Sequence, residues 1–173
     1  MMKAEPTMMV DDVKSRLETF KPLILIFLFI SGVSVIATIE GGQINPMKWM
    51  NYFMAGFFIT FSFFKFLDLR AFADSYSMYD LLAKRVRTYG FVYPFIELAL
   101  GIAYLTHFAP SSTYIATIAV MGFSSLGVIR SVLNKKEIKC ACLGAVFNLP
   151  MTTVTIIEDL LMVVMAVLML WTA

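Results

Sequence analysis

LALGIAYLTHFAPSSTYIATIAVMGFSSLGVI, from Leu98 to Ile129, contains no Asp, Glu, Lys or Arg. At about 1.5 Å of rise per helical residue such a run is longer than one crossing of a hydrocarbon core about 30 Å thick. His107, Pro110, Ser111 and Ser112 interrupt it. The stretch therefore reads as two membrane helices, about 90–108 and 113–133, joined by a short turn. The rest of the chain agrees with a lipid setting. Of 173 residues, 60% are hydrophobic and 15% charged, against about 45–50% and 25% in a typical soluble domain. Mean hydropathy is +0.80.

Working outward, Lys21 and Glu40 bracket an uncharged run from Pro22 to Ile39, which gives a span at about 22–40. A second uncharged run, Trp49 to Phe64, continues through Lys65 to about Leu69, and Lys65 can snorkel toward the interface. The last span covers about 151–171. The expected fold is all-α: a polytopic transmembrane bundle of about five helices, with residues 1–21 as a cytoplasmic N-terminal segment and 22–172 as one helical domain. Residues 8–20 could form a short surface helix or a frayed terminus. The opening twenty residues are too long and too acidic for a cleaved signal, so the first span is read as retained.

Basic residues remain on the cytoplasmic side of short loops. With the N-terminus inside, that side holds Lys3, Lys14, Arg16, Lys21, Lys65, Arg70, Lys84, Arg85, Arg87, Arg130, Lys135, Lys136 and Lys139, and the other side holds Lys48 alone. This predicts a multi-pass protein of a bacterial inner membrane, N-terminus in and C-terminus out. Trp49, Tyr93 and Trp171 fall near expected interfaces. The net charge of +2 gives no electrostatic footprint for nucleic acid. A single histidine excludes His-rich metal sites, and no nucleotide loop or hydrolase triad is present.

The chemistry then falls to few residues. Lys139-Cys140-Ala141-Cys142-Leu143-Gly144 stands at the cytoplasmic entrance to the last span. Thiols at i and i+2 diverge on a helix, but share a side in an extended segment or turn. A disulfide between them would be small, strained and easily reduced, suited to exchange rather than scaffolding. Lys135, Lys136 and Lys139 favour the thiolate form. Three readings stay open: two inert packing residues, a redox pair, or two ligands for a soft metal.

Glu97 would sit about 12 Å deep in the third span, where an ionised carboxylate needs a partner. Lys65 is the candidate by depth. The pair reads either as a structural ion pair or as a proton acceptor serving the thiols. Glu158 and Asp159 lie at similar depth in the last span, and Thr155 to Glu158 fits a capping box that would start its helix. Glu158, Met162, Met165 and Met169 share one helical face. With Cys140 and Cys142 these methionines offer sites for Cu(I) or Hg(II), although methionine is also ordinary packing material. His107 reads as an interfacial polar residue, and Gly101, Gly122, Ser124, Ser125 and Gly127 as small residues for close helix approach.

In order, Phe63-Phe64-Lys65-Phe66-Leu67-Asp68, Tyr79-Asp80-Leu81-Leu82-Ala83-Lys84-Arg85, Tyr93-Pro94-Phe95-Ile96-Glu97 with Gly101, and Lys139-Cys140-Ala141-Cys142-Leu143-Gly144 resemble the MauE/DoxX family of redox-associated membrane proteins. The resemblance covers about residues 45–172. It implies a core of four membrane helices, here with an added N-terminal one. It also implies a role in methylamine utilisation tied to disulfide formation in a quinone-cofactor enzyme. Some relatives carry a glutaredoxin-like domain ahead of the membrane part, and this chain has only about 21 residues there. The resemblance thus implies thiol–disulfide exchange at Cys140 and Cys142, supported by Glu97 and Lys65, with a separate cytosolic thioredoxin- or glutaredoxin-like protein as partner and no bound cofactor. The alternative is a soft-metal carrier using Cys140, Cys142, Met162 and Met165.

Overall fold

A computed structural model describes residues 6–40, 43–78, 80, 83, 85–133 and 151–172. Its elements are α1 (Pro6–Thr38), β1 (Ile39–Glu40), β2 (Gln43–Ile44), α2 (Pro46–Leu67), α3 (Leu69–Tyr76), α4 (Arg87–Thr106), α5 (Pro110–Leu133) and α6 (Met151–Thr172). The fold is an all-α bundle. The two strands form one small antiparallel pair, Ile39 opposite Ile44 and Glu40 opposite Gln43, that turns the chain between α1 and α2.

Local chemistry sets the helix ends. The Asn45 side chain accepts from the Met47 and Lys48 amides at 3.0 and 3.2 Å, and Pro46 opens α2, so an N-cap and an N1 proline start the helix together. Asp68 ends α2 and at once caps α3, accepting from the Ala71 amide at 2.9 Å. At the other end of the bundle His107 adopts a left-handed conformation with φ 52°. The Phe108 amide then donates to the Ala103 carbonyl at 3.0 Å, which closes α4 before Pro110 opens α5.

Two boundaries differ from the sequence reading. The segment before Lys21 continues as helix from Pro6 into the first apolar run, through Pro22. Glu158 lies well inside α6, which starts at Met151, so a capping role at the helix start is excluded. The short α3, amphipathic and only eight residues long, has no counterpart in the span pattern.

Pro46–Leu67, Thr88–Thr106 and Pro110–Arg130 are long and apolar enough to cross a membrane, and α1 contributes a shorter apolar stretch, Leu23–Thr38. Leu25, Phe29, Ile36, Leu126 and Val164 point outward and are exposed. So much apolar surface matches lipid, not water. Inside, α2 packs on α1 and α4, α4 on α3, and α5 on α6. Phe57, Phe58 and Phe61 of α2 meet Leu100 and Tyr104 of α4, Met121 of α5, and Met162 and Met169 of α6 in one core.

Gly101 fixes the α2–α4 distance. A Cβ there would lie 2.8 Å from Ile59 Cγ1 and 3.1 Å from the Ile59 backbone nitrogen. Only a residue without a side chain lets the helices approach this closely. One turn earlier on the same face of α4 is Glu97.

Candidate functional site

On α4, Tyr93, Glu97, Gly101 and Tyr104 recur at helical spacing and turn one stripe toward the bundle interior, where each is buried. On α2, Phe58, Phe61 and Lys65 form the matching stripe. The two meet at Lys65 and Glu97. The Lys65 Nζ donates to both carboxylate oxygens of Glu97, and the side chains are 5% and 4% exposed. Lys65 therefore does not snorkel to the interface. The inward-facing carboxylate holds the ammonium within the bundle.

Aromatic rings roof this ion pair. The Lys65 ammonium lies 5.0 Å from the centre of the Tyr93 ring and 5.3 Å from that of Phe72, within cation–π range. Phe72, Tyr76 and Tyr93 stack on one another, with Tyr76 and Tyr93 centroids 4.6 Å apart. Two of these rings come from α3. Its docking depends on Gly90, where an added Cβ would come within 3.2 Å of the Ala73 Cα. Tyr93, expected at a membrane interface, is instead a wall of the site, because the eight-residue α3 lies over it.

A second polar layer continues from the roof. The Tyr76 hydroxyl donates to Asp80 Oδ2 at 3.0 Å, and the Ala83 amide donates to Asp80 Oδ1 at 2.8 Å, with Asp80 fully buried. The Tyr93 hydroxyl lies 3.6 Å from the Met121 sulfur of α5. Ser124 of α5 also faces Tyr93, and it faces Asp159 of α6.

Between these groups is a cavity of about 20 Å³, room for about one water molecule. Lys65, Glu97, Ser124, Glu158 and Asp159 line it together with Tyr76 and Tyr93. Glu158 and Asp159, noted in the sequence for their depth, and Glu158 also as a capping-box residue on the methionine face, thus converge with the Lys65–Glu97 pair. Ser124, read as a small packing residue, lines the same space. The signal that could have found them was the helical offset from the cysteine-bearing connection: both Ser124 and Asp159 lie two to three turns from it.

The remaining sequence candidates divide. Cys140 and Cys142 lie in residues 134–150, outside the described residues. Met162, Met165 and Met169 are buried in the hydrophobic core. Among the described residues no cluster of three His, Cys, Asp or Glu side chains has the arrangement of a metal site. His107 is an exposed helix-terminal residue whose ring lies edge-on to Tyr52 at 5.8 Å.

A family described as methylamine utilisation protein MauE matches residues 44–172. No curated protein and no solved structure matches the chain. The match covers most of the chain, from β2 through α6, and the chain belongs to this family of membrane proteins.

Proposed function

We propose that this protein is a membrane thiol–disulfide exchange protein in which Cys140 and Cys142 cycle between dithiol and disulfide. The observation that carries the reading is the family match over residues 44–172, which encloses the Cys140-Ala141-Cys142 sequence on the connection from α5 to α6. The converging side chains of Ser124 and Asp159 support it, since they belong to the halves of α5 and α6 nearer that connection. A redox-associated role in the membrane is consistent with methylamine utilisation.

In the exchange, one cysteine thiolate attacks a disulfide sulfur of a cytosolic thioredoxin- or glutaredoxin-like partner, and the second cysteine resolves the mixed disulfide. The pair gives up two electrons and two protons, and the partner disulfide takes up both to become a dithiol. The reverse direction balances identically. Lys135, Lys136 and Lys139 favour the thiolate, and the buried Glu97–Lys65 pair serves as acid and base for the exchange. The orientation that suits this chemistry has five crossings of a bacterial inner membrane, the N-terminus and the cysteine connection on the cytoplasmic side and the C-terminus outside. The positive-charge distribution supports that placement.

A redox titration with a thiol mass tag tests the reading. The Cys140/Cys142 pair is expected to titrate as one two-electron couple within about −320 to −180 mV, the range of cellular thiol systems. A pair that stays reduced across that range removes the proposal.

A further inference from the structure

The cavity lining carries three carboxyl groups, Glu97, Glu158 and Asp159, against one ammonium, Lys65, among the described residues. All four are at most 8% exposed. Lys65 already donates to both carboxylate oxygens of Glu97, so Asp159 in so dry a space must bind either a proton or a further cation. The oxygens do not gather as metal ligands would. One atom marks where the missing interaction belongs: Asp159 Oδ2 is buried and makes no hydrogen bond with any described residue. It belongs to a side chain that lines a void the size of a water molecule, beside the ion pair.

We propose that this cavity is a proton-exchange site, in which one water molecule bonded to Asp159 passes a proton between Asp159 and Glu97. The step conserves charge. When the Asp159 carboxyl gives its proton to the Glu97 carboxylate through the water, Asp159 becomes the carboxylate and the Lys65 ammonium changes partner to it. No electron moves and no bond other than O–H is made or broken. The rings of Phe72 and Tyr93 lie over Lys65 and keep the ammonium desolvated. Ser124 faces Asp159 from α5 and orients its carboxyl. The other titratable and charged groups facing Asp159 are Lys65 from α2, Glu97 and Tyr93 from α4, and Asp80 from the connection after α3, with Tyr76 and Glu158 also lining the cavity. Tyr76 and Asp80, hydrogen-bonded to each other, lead from the cavity toward the α3–α4 connection. Use of the site as acceptor for a thiol proton rests on the redox reading above, whereas the existence of the site does not.

The test is infrared spectroscopy of the full chain in lipid nanodiscs, in H₂O and in D₂O, for the wild type, Asp159→Asn, Ser124→Ala and the Cys140→Ser/Cys142→Ser double variant. The wild type is expected to show a protonated-carboxyl C=O band at neutral pH that shifts in D₂O. Asp159→Asn should abolish or displace it. Ser124→Ala, which keeps the carboxyl, should shift its frequency. Absence of the band, failure to shift in D₂O, or a band unchanged in both Asp159→Asn and Ser124→Ala overturns the proposal. Persistence of the band in the double cysteine variant, combined with loss of thiol exchange there, separates the proton site from the redox reading. If Asp159→Asn does not fold, the Ser124→Ala shift alone decides.

Discussion

Replacing Lys65 by Met removes the ammonium and keeps a flexible apolar chain of similar length, which isolates the electrostatic part of the site. Glu97 is 3% exposed, Lys65 donates to both of its carboxylate oxygens, and Tyr93 also faces it. Breaking a buried ion pair from one side costs about 3–5 kcal/mol, because the remaining charge stays buried without compensation. The cation–π contacts to Phe72 and Tyr93 are lost with it, each worth about 0.5–2 kcal/mol. Glu97→Gln is the informative companion. It removes one carboxylate but leaves Lys65 with Asp159 still acting on it, so its cost should fall below that of Lys65→Met by at least about 1.4 kcal/mol, a tenfold difference in the unfolding equilibrium. The Lys65→Met/Glu97→Leu double variant should recover most of the loss, since an apolar pair of similar volume replaces a buried ion pair at little cost. Reversible unfolding in mixed micelles, followed by circular dichroism, gives all three values. Equal costs for the two single variants, or a double variant as unstable as the sum of its parts, would refute an interior in which Glu97 and Asp159 depend on one lysine.

Gly101→Ala should destabilise by about 1–3 kcal/mol in the same assay, since its Cβ meets the Ile59 backbone nitrogen at 3.1 Å and backbone cannot yield as a side-chain end can. Gly122→Ala, with nothing within 4 Å, is the control and should change stability by less than about 0.5 kcal/mol. Tyr104→Phe removes the 3.0 Å bond to Thr117 Oγ1 and should cost about 1 kcal/mol, with Thr117→Val costing a similar amount and the two not adding. In whole cells a membrane-impermeant maleimide should leave Cys140 and Cys142 unlabelled until the membrane is opened; labelling of intact cells reverses the orientation proposed above. Elemental analysis of the purified, reduced protein should find no stoichiometric copper or mercury, whereas metal that disappears in the double cysteine variant would transfer the function to soft-metal carriage.

The bundle was legible because lipid imposes a coarse rule. Long uncharged runs must be helices, and charge must be retained at their ends or paired within them. That rule found the α4–α5 turn at His107 to Pro110 and paired Lys65 with Glu97, the second from depth and from the two spans being consecutive. It could not see α3, whose eight residues between Asp68 and Ser77 carry too little apolar length to register as a span. Tyr93 was consequently assigned to an interface, since nothing in sequence periodicity says that Phe72 and Tyr76 fold back over it. Asp159 was visible as a charge at the right depth. That it faces the Lys65–Glu97 pair depends on the rotation of α6 about its axis, and the methionine stripe beginning at Met162 suggested that rotation without fixing which helix it would meet.

The same geometry explains why a protein with few polar groups concentrates them at one place. Each of Lys65, Glu97 and Asp159 alone would be costly in the bilayer interior. The Gly101 contact brings Lys65 and Glu97 together and Asp159 joins them from α6, so that they offset one another, and the stacked rings of Phe72, Tyr76 and Tyr93, seated by the Gly90 contact, separate them from the α3 side. Packing and proton chemistry are therefore coupled through the glycines. A side chain at Gly90 would push α3 away from α4 and unroof Lys65 before it touched any charged group. Gly90→Ala should accordingly change the carboxyl infrared band, while Gly56→Ala, which presses on the flexible Ile30 side chain at the α1–α2 contact, should leave that band in place. If both glycine variants leave the spectrum unchanged, the aromatic roof contributes nothing to the state of the carboxyls beneath it.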